Sequence, residues 1–211
     1  MELLLDTDFI IKMARYSLLD AFEGLMQAHG HAASPFRYLY EIKDKMHRAK
    51  SDPIRSAFGS HVALNNCRSF VANGLEMGAT QSDFDVFEEL RAIEGMDQGE
   101  AIFVAYMLRE ENVLMVSGDK KMIDGLKTPD GDRFRSVLRG RIVHLNRIIR
   151  TLAFGAYWNE VRDGVCKNPT CDAALYDALA PDLRKPDAEA KLHRMTVDYE
   201  RSSLGLLRTA L

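Results

Sequence analysis

The stretch MDQGEAIFVAYMLREENVLMVSGDKKMIDGL, residues 96–126, decides the fold class. Asp97-Gln98-Gly99-Glu100 reads as a helix start, with one acid at the cap position and a second three residues on. From Ala101 to Leu108 the side chains are apolar almost all round, the mark of a buried helix. After Glu110-Glu111-Asn112, the run Val113-Leu114-Met115-Val116 has no polar alternation, as expected of a strand covered on both faces of a parallel sheet. Ser117-Gly118-Asp119 ends that run. A short helix to about Leu126 and a final strand over 141–145 are predicted next.

Working outward, Leu3-Leu4-Leu5 is a second buried-strand run, and it stops at Asp6-Thr7-Asp8. Asp8 can cap one long helix carrying Ile11, Ala14, Leu18, Phe22 and Leu25, with Gly30 as its stop. Residues 31–34 read as a short second strand. Ser34-Pro35 has the form of an N-cap followed by proline and predicts a helix through about Met46, with Glu41 two turns into it. Pro53 breaks the chain, and helices are expected over 61–75 and around Phe84, Phe87 and Leu90. Beyond Asn146 no strand is expected. Residues 146–158, 172–179 and 187–211 read as helices separated by Pro169, Pro181 and Pro186. Strands alternating with helices predict an α/β fold with a mainly parallel sheet over residues 1–146, followed by a helical C-terminal extension over 147–211.

Composition narrows the class. At 211 residues and 46% apolar, the chain can bury a full domain core, and a net charge of −3 places any nucleic-acid surface in a local patch. The three cysteines, Cys67, Cys166 and Cys171, are too few for a disulfide framework and fit a reducing compartment. MELLLD reaches a carboxylate too soon for a signal peptide, and no apolar stretch is long enough to span a membrane. A cytoplasmic protein is expected. Cys166 and Cys171 lack the further ligands that a structural zinc needs, and neither a phosphate-cradling glycine loop nor a nucleophile elbow is present.

The chemistry rests on acids at strand ends. In an open α/β sheet, ligands bind beyond the carboxyl ends of the strands, where Asp6 and Asp119 both fall. Glu100, in the first turn of the helix leading into the later strand, can reach the same crevice, and Glu41 is a fourth acid. Carboxylates converging on one point repel unless a cation neutralises them, and hard oxygen ligands suit Mg²⁺ or Mn²⁺. Such ions assist hydrolysis of a phosphodiester. Each acid also has a plain structural reading: Asp97 with Glu100 is a capping box, Asp8 and Asp119 are N-caps, and Glu41 is a solvated helix residue.

LLLDTDFIIKMA at 3–14 and DQGEAIFVAYMLREENVLMVSGDKKMIDGL at 97–126 together resemble the opening and the later signature of the PIN-domain family of nucleases. The resemblance implies a Rossmann-like three-layer sandwich and metal-dependent cleavage of single-stranded RNA. By position it makes Asp6, Glu41, Glu100 and Asp119 the catalytic metal ligands. Ser117 becomes a hydroxyl beside the site, and Asp8, Asp97 and Asp124 accessory acids. Glu23 and Asp44 are alternatives to Glu41. Many relatives are toxins held by an antitoxin protein, which makes an antitoxin a candidate partner here, and because many relatives pair, a homodimer through the C-terminal helix is expected. The long helical middle between 35 and 95 and the helical tail depart from the compact toxin pattern.

Two other readings compete. Asp6-Thr7-Asp8 after a strand also resembles haloacid-dehalogenase-like phosphohydrolases, with Asp6 as nucleophile and Asp8 as general acid-base. That chemistry needs a lysine between the motifs, near the start of the penultimate helix; none occurs from Ser51 to Asp119, so Lys43, Lys45 or Lys50 would have to serve from an unusual position. A catalytically inactive binding module is the other. For gripping RNA, the six arginines and His144 between 133 and 150, with no acid among them, form a candidate strip in which Arg133, Arg135, Arg139 and Arg141 are the contacts expected to position phosphates. Phe36, Tyr38 and Tyr40 are expected in the core rather than on a stacking surface.

Overall fold

The computed structural model describes residues 1–30, 36–77 and 81–209, so the strand expected over 31–34 and the Ser34-Pro35 helix start lie outside the described residues. The strands are β1 (Glu2–Leu5), β2 (Arg37–Leu39), β3 (Leu75–Met77), β4 (Val113–Ser117) and β5 (Ile142–His144). They form one sheet in the order β3-β2-β1-β4-β5, with every pairing parallel. β1 and β4 lie side by side in register, Glu2 opposite Val113 through Leu5 opposite Val116. Their carboxyl ends therefore finish together, which sets Asp6 beside Ser117.

The described helices are α1 (Thr7–Arg15), α2 (Leu19–Ala28), α3 (Tyr40–Arg48), α4 (His61–Val71), α5 (Gln81–Arg91) and α6 (Gln98–Arg109). They continue as α7 (Lys120–Leu126), α8 (Asp132–Leu138), α9 (Leu145–Phe154), α10 (Trp158–Lys167), α11 (Ala173–Ala178) and α12 (Lys185–Ser202). Side chains alternate across each strand, and the core divides accordingly. Leu3, Leu5, Leu114, Val116 and Val143 face one cluster, with Phe9 and Met13 of α1, Phe22 of α2, Leu64 of α4, and Ile149 and Leu152 of α9. Leu4, Val113, Met115 and Ile142 face the other, with Phe103 and Val104 of α6, Met122 of α7 and Phe134 of α8. Helices on both faces of a parallel sheet are compatible with a three-layer α/β sandwich. Each large apolar side chain buried this way contributes about 1.5–3 kcal/mol.

Leu145 onward continues this packing. The boundary expected at 146–147 falls inside α9, and Val161, Val165, Leu175 and Leu192 of α10, α11 and α12 share the α1 cluster. The chain end also returns to the sheet: Leu207 bridges Ile142 in parallel, and Leu206 and Leu207 are buried against the α6 face. Among the described residues, no helix is long and apolar enough to cross a membrane.

Four local expectations are corrected. The single helix from Asp8 to Gly30 is two helices, because Ser17 takes φ 58° and the Leu18 amide bonds back to the Met13 carbonyl, closing α1 with a Schellman turn. The helix expected through Met46 begins only at Tyr40, since Arg37–Leu39 pairs with both β1 and β3. The helix expected over 61–75 ends at Val71, and Leu75–Met77 is an edge strand. The last helix ends at Ser202 rather than running to 211.

Candidate active site

Four elements bring acids to the carboxyl end of the sheet. Asp6 follows β1 at the N-cap position of α1, yet its side chain makes no capping hydrogen bond. Instead it accepts a hydrogen bond from the Ser117 hydroxyl at 3.1 Å, and the Asp119 amide donates to that same hydroxyl at 3.0 Å. Ser117 is buried and thus braces Asp6 against the β4–α7 turn. Asp119 caps α7, accepting from the Lys121 and Met122 amides.

On α6 the capping box is formed in full. The Asp97 carboxylate accepts from the Glu100 amide at 2.8 Å, and the Glu100 carboxylate accepts from the Asp97 amide at 3.0 Å. Glu100 is only 2% exposed. Glu41 sits in the first turn of α3, directly beyond β2, and not two turns into a helix as expected. A methyl group at Gly99 would lie 3.4 Å from Asp97 Oδ1 and 3.8 Å from Glu41 Oε2, so those two carboxylates flank one point. They line a cleft of about 510 Å³ together with Asp44.

The electrostatics follow from crowding. Burial, then the charges of Asp8 and Asp97, push the Asp6 carboxyl up to about 7, against the lowering effects of the Ser117 hydroxyl and the Asp8 amide. Burial, then Asp97, Asp119 and Asp6, push Glu100 up to about 8, although its hydrogen bond from the Asp97 amide opposes this. Both carboxyls therefore hold protons near neutrality in a site whose neighbours are acids.

The donor set fits a hard divalent cation, since it is made of carboxylate oxygens and one hydroxyl, with two of the carboxyls raised first by burial and then by neighbouring acids. Among the described residues no three ligating side chains stand close enough to hold an ion as placed. Asp97, Glu100 and Asp119 each have an oxygen turned onto backbone amides at a helix start. Gathering around a cation requires those side chains to rotate.

Of the other acids, Asp8 pairs with Lys12 at 2.7 Å, Asp44 pairs with Arg48, and Asp124 pairs with Lys127 at 2.5 Å. Glu23 is carried by α2 and does not line the Glu41 cleft. Glu41 itself pairs with Lys45 at 2.7 Å.

Lys12 stands beside Gly118, where the strand-end argument placed no cation. Its side chain is 15% exposed, and its ammonium would lie 3.4 Å from a methyl at Gly118, with Asp8 Oδ2 at 3.7 Å. The i,i+4 spacing of Asp8 and Lys12 on one helix was the available signal.

The arginine strip is largely engaged elsewhere. Arg141 precedes β5 at the opposite end of the sheet and donates to the carbonyls of Met107, Glu110 and Val113. Arg135 donates to the Leu126 and Lys127 carbonyls and pairs with Asp132 at 3.0 Å. Arg133 pairs with Glu89 and lies over the Phe134 ring, and Arg139 packs beside Gly205. His144 is buried against Tyr199, and burial together with the charges of Lys120 and Lys12 pushes it down to about 3, so it is neutral and no phosphate grip. Phe36 and Tyr38 pack inward as expected, with Phe36 stacked on Phe70, but Tyr40 is 62% exposed.

No family model, curated protein or solved structure matches this chain.

Proposed function

We propose that this chain is a Mg²⁺- or Mn²⁺-dependent nuclease of PIN-like type that hydrolyses phosphodiester bonds in single-stranded RNA. The observation that carries the reading is the pair Asp6 and Glu100. They are acids from two different elements, raised to about 7 and about 8 by burial and by each other's neighbours, at the carboxyl end of the central strands. Structural roles account for Asp97 and Asp119 as caps, but no capping bond accounts for Asp6.

In this reading Asp6, Glu100 and Asp119 hold the cation, with Asp97 and Glu41 completing its surroundings on the cleft side. The bound ion supplies charge neutralisation for the phosphoryl oxygens and activation of water. Ser117 keeps Asp6 aimed into the crevice, and Asp119, which caps α7 as placed, would turn from that cap toward the ion. Lys12, beside Gly118, offers an ammonium to a phosphate oxygen on the α1 side.

That lysine also favours a second reading, a phosphohydrolase in which Asp6 attacks phosphorus and Lys12 steadies the transferred group. One experiment separates the two. Wild type, Asp6→Asn and Asp119→Asn are assayed on labelled single-stranded RNA with Mn²⁺ or Mg²⁺, and on p-nitrophenyl phosphate in parallel. Metal-dependent RNA cleavage lost in both variants supports the nuclease. Phosphatase turnover without RNA cleavage transfers the case to the second reading. Neither activity, with no metal binding by calorimetry, leaves a binding module and refutes both.

A further inference from the structure

Two clefts meet at one exposed aromatic ring. The first, of about 510 Å³, carries Glu41 and Asp97 on its wall. The second, of about 480 Å³, is lined by Lys43 and His47 of α3, Lys50 just beyond it and Arg68 of α4. Tyr40 and Asp44 line both.

Tyr40 directly precedes Glu41 at the start of α3, and its ring is 62% exposed, while its aromatic neighbour Tyr38 is 3% exposed. What sets Tyr40 apart from other exposed apolar side chains is its place on the boundary of an acidic and a basic cleft. The charges around it are also uneven. Lys45, Arg48 and Lys43 are matched by Glu41, Asp44 and Glu76. Lys50, His47 and Arg68 have no carboxylate partner among the described residues, and Arg68 has only a long 3.5 Å contact to the Asn65 side chain.

We propose that single-stranded nucleic acid runs from the acidic cleft across Tyr40 into the α3–α4 cleft, stacking a base on Tyr40 and placing phosphates on Lys50 and Arg68. The chemistry is that of a single-strand platform. A π-face accepts any base, and cations spaced along a groove track the backbone. A duplex keeps its bases stacked inside and gives Tyr40 nothing to hold. This surface lies on the α3–α4 side and replaces the arginine strip of residues 133–141, whose guanidiniums are engaged with carbonyls, Glu89 and the chain end. The proposal rests on the nuclease reading for its occupant, but binding and cleavage are measured separately.

The test is fluorescence anisotropy with a short labelled single-stranded RNA in EDTA, where no cleavage occurs. Tyr40→Ala is expected to weaken binding roughly tenfold, with Tyr40→Phe restoring it, since stacking needs the ring and not the hydroxyl. Lys50→Glu with Arg68→Glu is expected to weaken binding by at least that much. It should also flatten the salt dependence by about one unit of slope for each phosphate contact removed. Arg194→Glu, an exposed change on α12, is expected to bind as wild type. The proposal is overturned if wild type does not bind, if the variants bind unchanged, or if a duplex competes as well as the single strand. It also fails if Arg133→Glu and Arg139→Glu, rather than the α3–α4 variants, abolish binding. Failure of the nuclease reading is a different result: intact, Tyr40-dependent binding in EDTA with no cleavage when Mn²⁺ is added.

Discussion

Glu100→Gln should stabilise the protein in EDTA while abolishing the proposed nuclease activity, and the size of the gain can be worked from the site. The glutamate is 2% exposed, and its carboxyl is raised from an ordinary 4.5 to about 8, first by burial and then by Asp97, Asp119 and Asp6. Because folding raises its proton affinity, the folded chain keeps a proton that the unfolded chain has lost between about pH 4.5 and 8. Stability is therefore greatest below that window and falls as pH rises through it. Each pH unit in the window costs about 1.4 kcal/mol, giving an upper figure of about 5 kcal/mol above pH 8. Water reaching the carboxylate and rotation of the side chain relieve part of this, so about 2–4 kcal/mol is expected.

Glutamine has no charge to bury and still accepts from the Asp97 amide, so the capping box survives the change. Urea denaturation in EDTA at pH 5 and at pH 9 reads the difference directly. Variant and wild type should be close at pH 5, and the variant should be more stable at pH 9, with Tm higher by about 2–4 °C per kcal/mol. A variant that is less stable than wild type at pH 9 would show that the ionised carboxylate is a structural asset, and the electrostatic argument for a cation site would fall with it.

Three further outcomes follow from the packing and the site. Ser117→Ala removes a hydrogen bond that favours the Asp6 carboxylate, so the acid limb of the pH–activity profile should move to higher pH, with Ser117→Thr restoring it; an unmoved limb refutes the bracing role. Arg147 and Glu200 form an ion pair with side chains 12% and 6% exposed, so Arg147→Ala should cost about 3–5 kcal/mol by equilibrium denaturation, while replacing both partners with Met and Leu should cost far less. Removing the residues after Ser203 takes away the buried Leu206 and Leu207 and the bridge to Ile142, so thermal unfolding should show a loss of about 3–6 kcal/mol; an unchanged Tm would mean the chain end is a loose cover.

What the sequence made legible follows from how much each element buries. β1 and β4 are apolar runs because they lie inside a sheet covered on both faces, and α6 is apolar almost all round because it is buried against one of those faces, so pattern alone finds them. β2 and β3 are three residues each. Arg37-Tyr38-Leu39 and Leu75-Glu76-Met77 carry charge and too few residues to show a period, so neighbouring helical patterns absorb them. The break between α1 and α2 is hidden for another reason: Ser17 occupies a left-handed position that sequence readings reserve for glycine. Reading Arg37–Leu39 as helix also misplaced Glu41, which the sequence could name but not locate. Its position beyond a strand, next to Asp6's own strand, is what gives it a wall of the acidic cleft.

For the acids themselves the plain reading and the functional one turn out not to exclude each other. Asp97 and Asp119 do cap helices, and Glu100 does complete a capping box. Capping aims their oxygens at helix N-termini, and the starts of α1, α6 and α7 all carry acids of this group. Three helix ends contribute partial positive charge there, each worth a fraction of a unit and fading within a turn. Asp6 and Glu100 are nevertheless raised, to about 7 and about 8, first by burial and then by the neighbouring acids. The two roles also respond differently to a single atom change. Asparagine caps a helix as well as aspartate does, so Asp119→Asn should leave α7 and the folded state nearly untouched. It removes one negative charge from the acidic group, which is the only loss that a cation at this site would register.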